Sequence, residues 1–430
     1  VTIPAGVSYY PVMSSGTIQT KNITIASGAS ITVSGGTFRI GGNISNSGTL
    51  HAVNGTIELN GSSAQTLSGS MFSSKTIMNL VLSNSNGIQL TGSGDTLKVT
   101  GKISFGAGNV VLTTNGNLTL VSNASGTARV DDLTAGGLYT GNDISGNVTV
   151  EKYIPNNPKA WHMLAVPTSG ATIKNSWMEN NAPLANLRPG YGTLVTGSVS
   201  GAVGLGFDVF TPSGASIKTY NNVSNAWDFV NSVTTAMDNP KGYMVFIRGD
   251  RSVTTSSQAP TATILRTTGA LYTTGVKAPS SVSVASGKME SIGNPYASAI
   301  SFTALTKTGS IDNKFYVWDP LLTNNSNGLG GYQTLSATNG WKPIPGGTAN
   351  YNSSLTYTGI QPGQVFFASS TSGGGTIGFT ESAKIADASG VSRMMTGRIS
   401  ERQFLRISLV NAGKYVVDGN VVAFDTDLSD

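Results

Sequence analysis

Cysteine is absent from the 430-residue chain, and histidine occurs only twice. Disulfide bonds, thiol catalysis and cysteine metal sites are therefore excluded. The two histidines lie far apart in sequence, so the pattern does not indicate a histidine metal cluster. No apolar run approaches the roughly 18 residues that a membrane-spanning helix needs. The first four residues, Val1 to Pro4, lack the charged start and apolar stretch of a signal peptide, so we expect any export signal to lie outside this sequence.

Charge is scarce as well. Charged residues make up 11% of the chain, against about a quarter in an average soluble protein. The formal net charge of +5 is spread thinly and forms no basic block, so the sequence does not favour nucleic-acid binding. Ionisable side chains are also the usual means of acid–base catalysis, and their scarcity disfavours an enzyme.

What the chain has in abundance is glycine, with 54 residues, together with serine, threonine and asparagine. A disordered chain would have few apolar residues and a high net charge. Here 38% of the residues are hydrophobic, and they occur in short strand-like runs. Such polarity without charge suits extracellular β-structure, where tight turns and ladders of hydroxyl or amide groups replace salt bridges. We therefore expect an all-β fold.

Residues 1–148 contain a recurring pattern of short alternating triplets separated by Gly, Asn or Ser. The first residues of successive triplets are 15, 19, 23, 17 and 21 positions apart. A period near 20 made of short strands predicts a β-solenoid that resembles a parallel β-helix. An antiparallel sandwich is the alternative, because it also has short strands and frequent turns. The triplets are Ile23–Ile25, Phe38–Ile40, Ile57–Leu59, Leu80–Leu82, Leu97–Val99 and Leu118–Leu120.

The pattern changes after residue 148, and the sequence divides into two further segments. Residues 149–383 hold all five tryptophans and longer apolar runs, which predicts a β-sandwich-like domain. Residues 384–430 read as a linker followed by the start of another β domain, with strands at Phe404–Val410 and Lys414–Phe424. Two strands alone are marginally stable, so this last segment is either incomplete or pairs with the preceding sheet.

Several motifs in serial order resemble large surface and secreted proteins of Bacteroidota that the type IX secretion system exports. The repeats at 22–50 and 115–130 lead into a junction of the type V-E-R-Y-I-P, here Val150–Pro155. They are followed by matches to further motifs of that group. These are Ala160–Pro167, Gly190–Gly192, Tyr243–Arg251, Gly293–Tyr296 (GNPY), Phe315–Pro320 (FYVWDP), Gln361–Phe367 (QPGQVFF) and Phe379–Ser382.

The resemblance implies an extracellular, cell-surface protein with a structural or adhesive role. Such a protein would be a stalk or fibre component that meets the type IX secretion apparatus, and it could assemble with other copies or with surface proteins. The group usually ends in a C-terminal sorting domain, which is not visible in this sequence, so the export route is implied by the resemblance alone. The group has no common catalytic activity, and we expect no enzyme, no catalytic residues and no cofactor-binding residues. A secreted protein that binds or degrades polysaccharides is the alternative.

Few residues stand out as candidate site residues. Arg248-Gly249-Asp250 is the tripeptide that integrins read, although a glycine turn, with Asp250 paired to Arg248 or Arg251, explains it equally well. His51 and His162 lie in strand-like runs, where packing or solvent exposure is the simpler interpretation. The tryptophans and tyrosines of 149–383 are either core residues or a platform for sugars.

Acidic residues provide the remaining candidates. Solenoid enzymes need carboxylates that converge on one groove, and the repeat region offers only the five acids Glu58, Asp95, Asp131, Asp132 and Asp143. Near the end of the sequence, Asp425, Asp427 and Asp430 form a D-x-D-x-x-D run of hard oxygen ligands, the type that binds Ca²⁺. An exposed acidic turn is the alternative for this run.

Overall fold

A computed structural model of the chain shows a nearly all-β protein, with 48% of residues in strands and 5% in helical turns. It describes residues 1–156, 159–180, 188–198, 202–210, 214–237, 239–273, 277–320, 322, 330–344, 356–385, 403–410 and 416–424. Within these ranges the only helical segments are six short 3₁₀ turns, and none of them is a helix long and apolar enough to span a membrane. The chain divides into two compact units, 1–394 and 395–430.

The first part of unit 1–394 is a β-solenoid of about five turns, as the repeat pattern predicts. Its strands are β1 (Thr2–Ile3), β2 (Val12–Met13), β3 (Thr17–Thr20), β4 (Ile23–Ile25), β5 (Ser30–Val33), β6 (Thr37–Ile40), β7 (Ile44–Asn46), β8 (Thr49–Leu59), β9 (Gln65–Leu67), β10 (Thr76–Leu82), β11 (Ile88–Leu90), β12 (Leu97–Val99), β13 (Lys102–Phe105), β14 (Val111–Thr113), β15 (Leu118–Leu120), β16 (Ser122–Asn123), β17 (Gly126–Thr127), β18 (Arg129–Val130), β19 (Thr134–Ala135), β20 (Leu138–Tyr139), β21 (Asp143–Ser145) and β22 (Asn147–Ile154).

Each coil of the solenoid contributes strands to three faces, and strands of successive coils pair in parallel. One face runs β1-β4-β7 and then, as a separate sheet, β9-β11-β14-β21; a second follows β2-β5-β8-β10-β12-β15-β22. The third face joins β3, β6 and the second halves of β8 and β10 to β13 and β18. Because β8 and β10 bend from one face into the next, they take part in both.

The loose spacing of the sequence triplets has a structural cause, because the triplets lie on different faces. Phe38, Ile57 and Leu80 begin triplets that stack on the third face, whereas Leu97 and Leu118 stack on the second. Intervals of 19, 23 and 21 residues therefore measure true coils. The shorter intervals of 15 and 17 residues measure a change of face.

The last coil is longer than the others. Its partners Thr119 and Thr149 are 30 residues apart, against 19 for Thr32 and His51 near the start. Two small antiparallel hairpins, β16–β17 and β19–β20, take up the additional residues. The stacking of the coil stays intact, because β15 still pairs with β22 and β14 with β21.

Apolar side chains fill the interior of the solenoid in stacked rows, so the inward positions of nearly every coil strand are buried. At the corners small residues are required. Gly36 has a φ of +66° and a Cβ at this position would lie 2.3 Å from the backbone oxygen of Gly16, so only glycine fits. The interior of the solenoid is thus a packed core with no channel for substrate.

One polar side chain substitutes for strand pairing where the first face is interrupted between β7 and β9. The Nε2 atom of Gln65 donates to the backbone oxygens of Ile40 and Gly42, both at 2.9 Å. Its Oε1 atom accepts from the Gly61 N–H at 2.9 Å and from Asn84 Nδ2 at 3.0 Å. The side chain is 3% exposed, and its four hydrogen bonds tie together segments of neighbouring coils at this interruption.

Strand β22 joins the solenoid to the rest of the unit. On one edge it pairs in parallel with β15. On the other edge it pairs antiparallel with β28 (Thr263–Leu271) along eight residues, from Asn147–Ala270 to Ile154–Thr263. The edge of the last coil is therefore covered, and the sheet of the solenoid continues without a break into the following domain. The predicted boundary near residue 148 falls inside this shared strand.

The strands after the solenoid form what we call the head, residues 160–385. They are β23 (Ala160–Leu164), β24 (Thr168–Ser169), β25 (Ile217–Asn221), β26 (Ala226–Phe229), β27 (Tyr243–Ile247), β28, β29 (Val282–Val284), β30 (Met289–Gly293), β31 (Ile300–Ser301), β32 (Thr306–Asp319), β33 (Gly331–Ser336), β34 (Gly359–Ile360) and β35 (Val365–Gly378). Two antiparallel sheets, β23-β27-β25-β26 and β29-β35-β32-β33, form its layers, and β30 also pairs with β35.

Aromatic side chains pack against the β29-β35-β32-β33 sheet of the head and link it to the other sheet. Phe302 stacks on Phe315 with ring centroids 4.7 Å apart, and Phe366 meets both rings edge-on. The Trp318 indole donates to the backbone oxygen of Trp161 at 2.7 Å and so links the two sheets. This arrangement agrees with the predicted sandwich-like domain.

Unit 395–430 contains a two-stranded antiparallel hairpin, β36 (Gln403–Val410) and β37 (Val416–Phe424). Both strands agree with the runs predicted from the sequence.

Candidate functional site

The acids of the solenoid do not converge on one groove. Glu58 pairs with Arg39 at 2.6 Å, and Asp95 pairs with Lys75 at 2.9 Å. Each of the other three has its own partner as well, so no two of the five acids share a site. These partners are Lys102 and Arg129 for Asp131, the Thr134 N–H and hydroxyl for Asp132, and the Thr273 hydroxyl for Asp143.

The Arg-Gly-Asp tripeptide is buried. Arg248 is 7% exposed and its guanidinium lies over the rings of Phe210 and Phe246, at 4.2 and 5.0 Å from their centroids. Asp250 is 4% exposed and accepts from the backbone N–H groups of Gly190 and Ser252. An integrin needs the carboxylate on an exposed loop, so this segment stabilises the head and does not present a receptor motif.

The charge pairing expected for this segment is wrong, because Asp250 forms an ion pair with neither Arg248 nor Arg251 in the described part of the chain. Arg251 does not pair with Asp250 but with Asp208, through two hydrogen bonds of 2.9 Å. Both side chains have 0% exposure. Asp208 is 43 residues from Arg251 in sequence. The sequence alone therefore favours Asp250, the adjacent acid, as the partner of Arg251.

The two histidines occupy structural positions. His51 is half-buried in β8, while His162 in β23 is 5% exposed. Burial, reinforced by the nearby positive charge of Lys152, lowers the pKa of His162 to about 4. His162 is therefore neutral at physiological pH. Among the described residues, no group of three or more His, Asp or Glu side chains is placed to hold a metal ion.

The candidate Ca²⁺ ligands Asp425, Asp427 and Asp430 lie outside the described residues, so their arrangement stays a prediction.

Buried charge also marks the junction between solenoid and head. Arg266 of β28 donates to both carboxylate oxygens of Glu179 and stacks over Tyr191 at 4.4 Å. Glu151 of β22 accepts from the Ser122 N–H at 3.2 Å, and its burial raises the pKa of its carboxyl group. These contacts fix β22 and β28 against their neighbours, which is a structural role.

A polar depression on the described surface lies where three separate segments of the head meet. We call it the Glu290 groove, and its volume is about 430 Å³. Strands β25 and β26 form one side, the start of β30 another, and the 239–241 segment before β27 the third. It is lined by Thr219–Asn222, Asp228, Asn239–Lys241, Val282, Glu290 and Ser291.

Hydrogen bonds hold the acids of the Glu290 groove in fixed orientations. Asn222 donates through Nδ2 to one Glu290 carboxylate oxygen, and Asn221 donates to Asp228 at 2.8 Å. Burial raises the pKa of the Glu290 carboxyl group, although the bonds from the Ser291 N–H and Asn222 and the charge of Lys241 oppose that rise. The groove is thus polar and preformed, with two acids and one lysine.

An aromatic side chain forms part of the wall of the groove. Tyr220 is half-buried, and its ring meets Trp227 and Phe367 edge-on at centroid distances of 5.5 and 4.9 Å. Burial and the charge of Glu290 raise the pKa of the Tyr220 hydroxyl, so it stays protonated.

Sequence reasoning did not single out any residue of the Glu290 groove. Its residues come from positions 219 to 291 and carry no short motif. The only available signal was the expectation that some aromatic residues of 149–383 form a platform, and that expectation named no residue.

Fold and surface together define an all-β protein in which a parallel β-solenoid shares a strand with a two-layered head. Comparison of the chain with protein-family models, with curated proteins and with solved structures found no match in any of the three. The function is therefore argued from the geometry.

Proposed function

We propose that the chain is a non-enzymatic structural and adhesive protein of the bacterial cell surface. In this proposal the solenoid is a stiff spacer, the head is a binding module, and the type IX secretion system exports the protein. The motifs of the sequence are the basis for the export route and for the extracellular location.

One observation carries the proposal, namely that β22 belongs to the solenoid and to the head. Eight consecutive residue pairs connect β22 to β28, so no flexible linker separates the two parts. Solenoid length grows with the number of coils while each coil contacts only its neighbours. A head joined rigidly to such a stack is held at a fixed distance from the opposite end of the solenoid, as a stalk requires.

The distribution of charge supports a scaffold. Three of the five acids of the repeat region pair with separate cations and the other two accept hydrogen bonds from threonines, while the solenoid interior is filled with apolar side chains. General acid–base catalysis needs titratable groups that converge within hydrogen-bond reach of one substrate. The described solenoid surface offers no such convergence.

The rigid junction is tested by limited proteolysis of the full chain. Ile264 donates its N–H to Gly190, and the alternation along a strand then directs the Thr267 N–H toward β22. Thr267→Pro removes that donor in mid-strand and so breaks a hydrogen bond of the ladder between β28 and β22. We expect wild-type solenoid and head to persist as one fragment, whereas Thr267→Pro releases a separate solenoid fragment.

Thr267→Val is the matched control. The Thr267 hydroxyl is buried without a hydrogen-bond partner among the described residues, and valine keeps the backbone N–H and the shape. This variant should resist protease as well as the wild type does. Rapid cleavage of the wild type within 147–154 would contradict the rigid stalk.

The expected lack of enzymatic activity is tested in a separate experiment. The full chain is incubated with neutral and uronic acid polysaccharides, and new reducing ends and unsaturated products are measured. We expect no turnover above a protein-free control. Turnover that disappears in Asp95→Asn, Asp132→Asn or Glu290→Gln would show that the protein is an enzyme.

A further inference from the structure

We propose that the Glu290 groove binds a neutral, hydroxyl-rich carbohydrate. This inference rests on the adhesive part of the proposed function and names the ligand class of the head. It is carried by the orientation of the polar groups in the groove, by its aromatic wall, and by the balance of charge.

The first step concerns the acceptors and the donor. The Glu290 and Asp228 carboxylates each receive one asparagine N–H, which orients them and leaves further lone pairs for a ligand. Lys241, which bridges to Ile292 beside Glu290, is exposed and supplies a charged donor. Sugar hydroxyl groups both donate and accept, so they match a surface in which acceptors and donors alternate.

The second step concerns the accessible polar side chains of the lining. Thr219, Asn221 and Asn222 line the groove and are partly exposed. Their hydroxyl and amide groups both donate and accept hydrogen bonds, so they are complementary to the hydroxyl groups of a sugar.

The third step concerns the apolar wall. Tyr220 lines the groove, and its ring is braced by Trp227 and Phe367. A fixed aromatic ring offers a flat apolar surface beside polar groups, and the C–H side of a sugar ring is complementary to it. The volume of about 430 Å³ lies within the roughly 300–1,000 Å³ of typical small-ligand sites.

The fourth step selects among carbohydrates by charge. The groove contains two carboxylates and one ammonium group, so its net charge is negative. Like charges placed together oppose binding, which disfavours uronic acid chains and sulfated chains. Neutral chains, including N-acetylated ones, meet no such repulsion.

The test is calorimetric titration of the full chain with defined oligosaccharides. The probes are tetrasaccharides of glucose, mannose, galactose, xylose and N-acetylglucosamine, with tetragalacturonate as the charged comparison. We expect saturable binding of at least one neutral probe and no binding of tetragalacturonate. Failure of every neutral probe, or a preference for tetragalacturonate, would overturn the proposal.

Lys241→Ala provides a second test at the rim. Loss of a charged donor should weaken binding about tenfold or more, whereas Lys21→Ala on the solenoid should have no effect. These outcomes are independent of the turnover assay. Binding without turnover supports both proposals, binding with turnover refutes only the non-enzymatic role, and no binding refutes only the carbohydrate site.

Discussion

The buried pair of Arg251 and Asp208 allows a quantitative test of the head. Both side chains are fully buried, and two hydrogen bonds of 2.9 Å join them. Removing one partner leaves an uncompensated charge in the core, which costs about 3–5 kcal/mol. We therefore expect Asp208→Asn to lower the free energy of unfolding of the head by that amount.

Tryptophan fluorescence during urea unfolding is a selective assay for this change. All five tryptophans lie between positions 161 and 341, so their emission reports the head and not the solenoid. With an m-value of about 2 kcal/mol per molar urea, the loss corresponds to a midpoint about 1.5–2.5 M lower. Far-UV circular dichroism, dominated by strands of both parts, provides the comparison.

A double variant separates the charge from the packing. Replacing Arg251 by Met and Asp208 by Leu removes both charges and keeps apolar volume, so its midpoint should lie well above that of Asp208→Asn. Lys314→Gln is the control in the same domain. The Lys314 amine is 3.4 Å from Asp312 and its side chain is 39% exposed, so its loss should cost at most about 1 kcal/mol.

Two results would refute this reasoning. One is an Asp208→Asn midpoint within error of the Lys314→Gln midpoint, which would mean that the pair is hydrated in solution. The other is a double variant less stable than Asp208→Asn, which would mean that the pair itself is the main stabilising contact at this place.

Two further predictions concern polar groups elsewhere in the unit. Gln65→Leu removes four hydrogen bonds at the interruption of the first face and should destabilise the solenoid by about 2–5 kcal/mol, seen as a lower melting temperature by circular dichroism; the exposed Gln19→Leu should be neutral. The pKa of His162 falls from 6.5 to about 4 on folding, so the unfolded chain binds a proton that the folded chain does not. Stability is therefore complete above pH 6.5 and decreases as the pH falls toward 4, by about 3 kcal/mol. The fluorescence midpoints of His162→Gln should lack this part of the decrease, and a pH profile equal to that of the wild type would contradict it.

Local patterns in the sequence determined the architecture of the first 150 residues. Alternation in triplets such as Leu80–Leu82 places every second side chain inward, and glycine and asparagine at the corners allow tight turns. Both signals act over a few residues, so they can be read directly. The face of the solenoid to which each triplet belongs could not be predicted, because it depends on the number of residues in each corner.

Contacts between residues far apart in sequence could not be predicted from local sequence patterns. Asp208 meets Arg251, and β22 meets β28, across 43 and more than 100 positions respectively. Asp250 stood next to Arg251 and looked like the partner, yet its carboxylate accepts backbone N–H groups. Pairing of this kind depends on how the layers of the head pack, which no short motif encodes.

The sequence by itself thus determined the class of structure: short strands, small corners, an apolar interior and very few charges give stacked β-coils. Only the tertiary structure decided that the Arg-Gly-Asp segment is buried and that the Glu290 groove exists. The physical reason is the distance along the sequence over which each feature is determined. Strand alternation depends on neighbouring residues, whereas burial depends on packing between parts of the chain far apart in sequence. The same packing brings together β25, β26, β30 and the 239–241 segment.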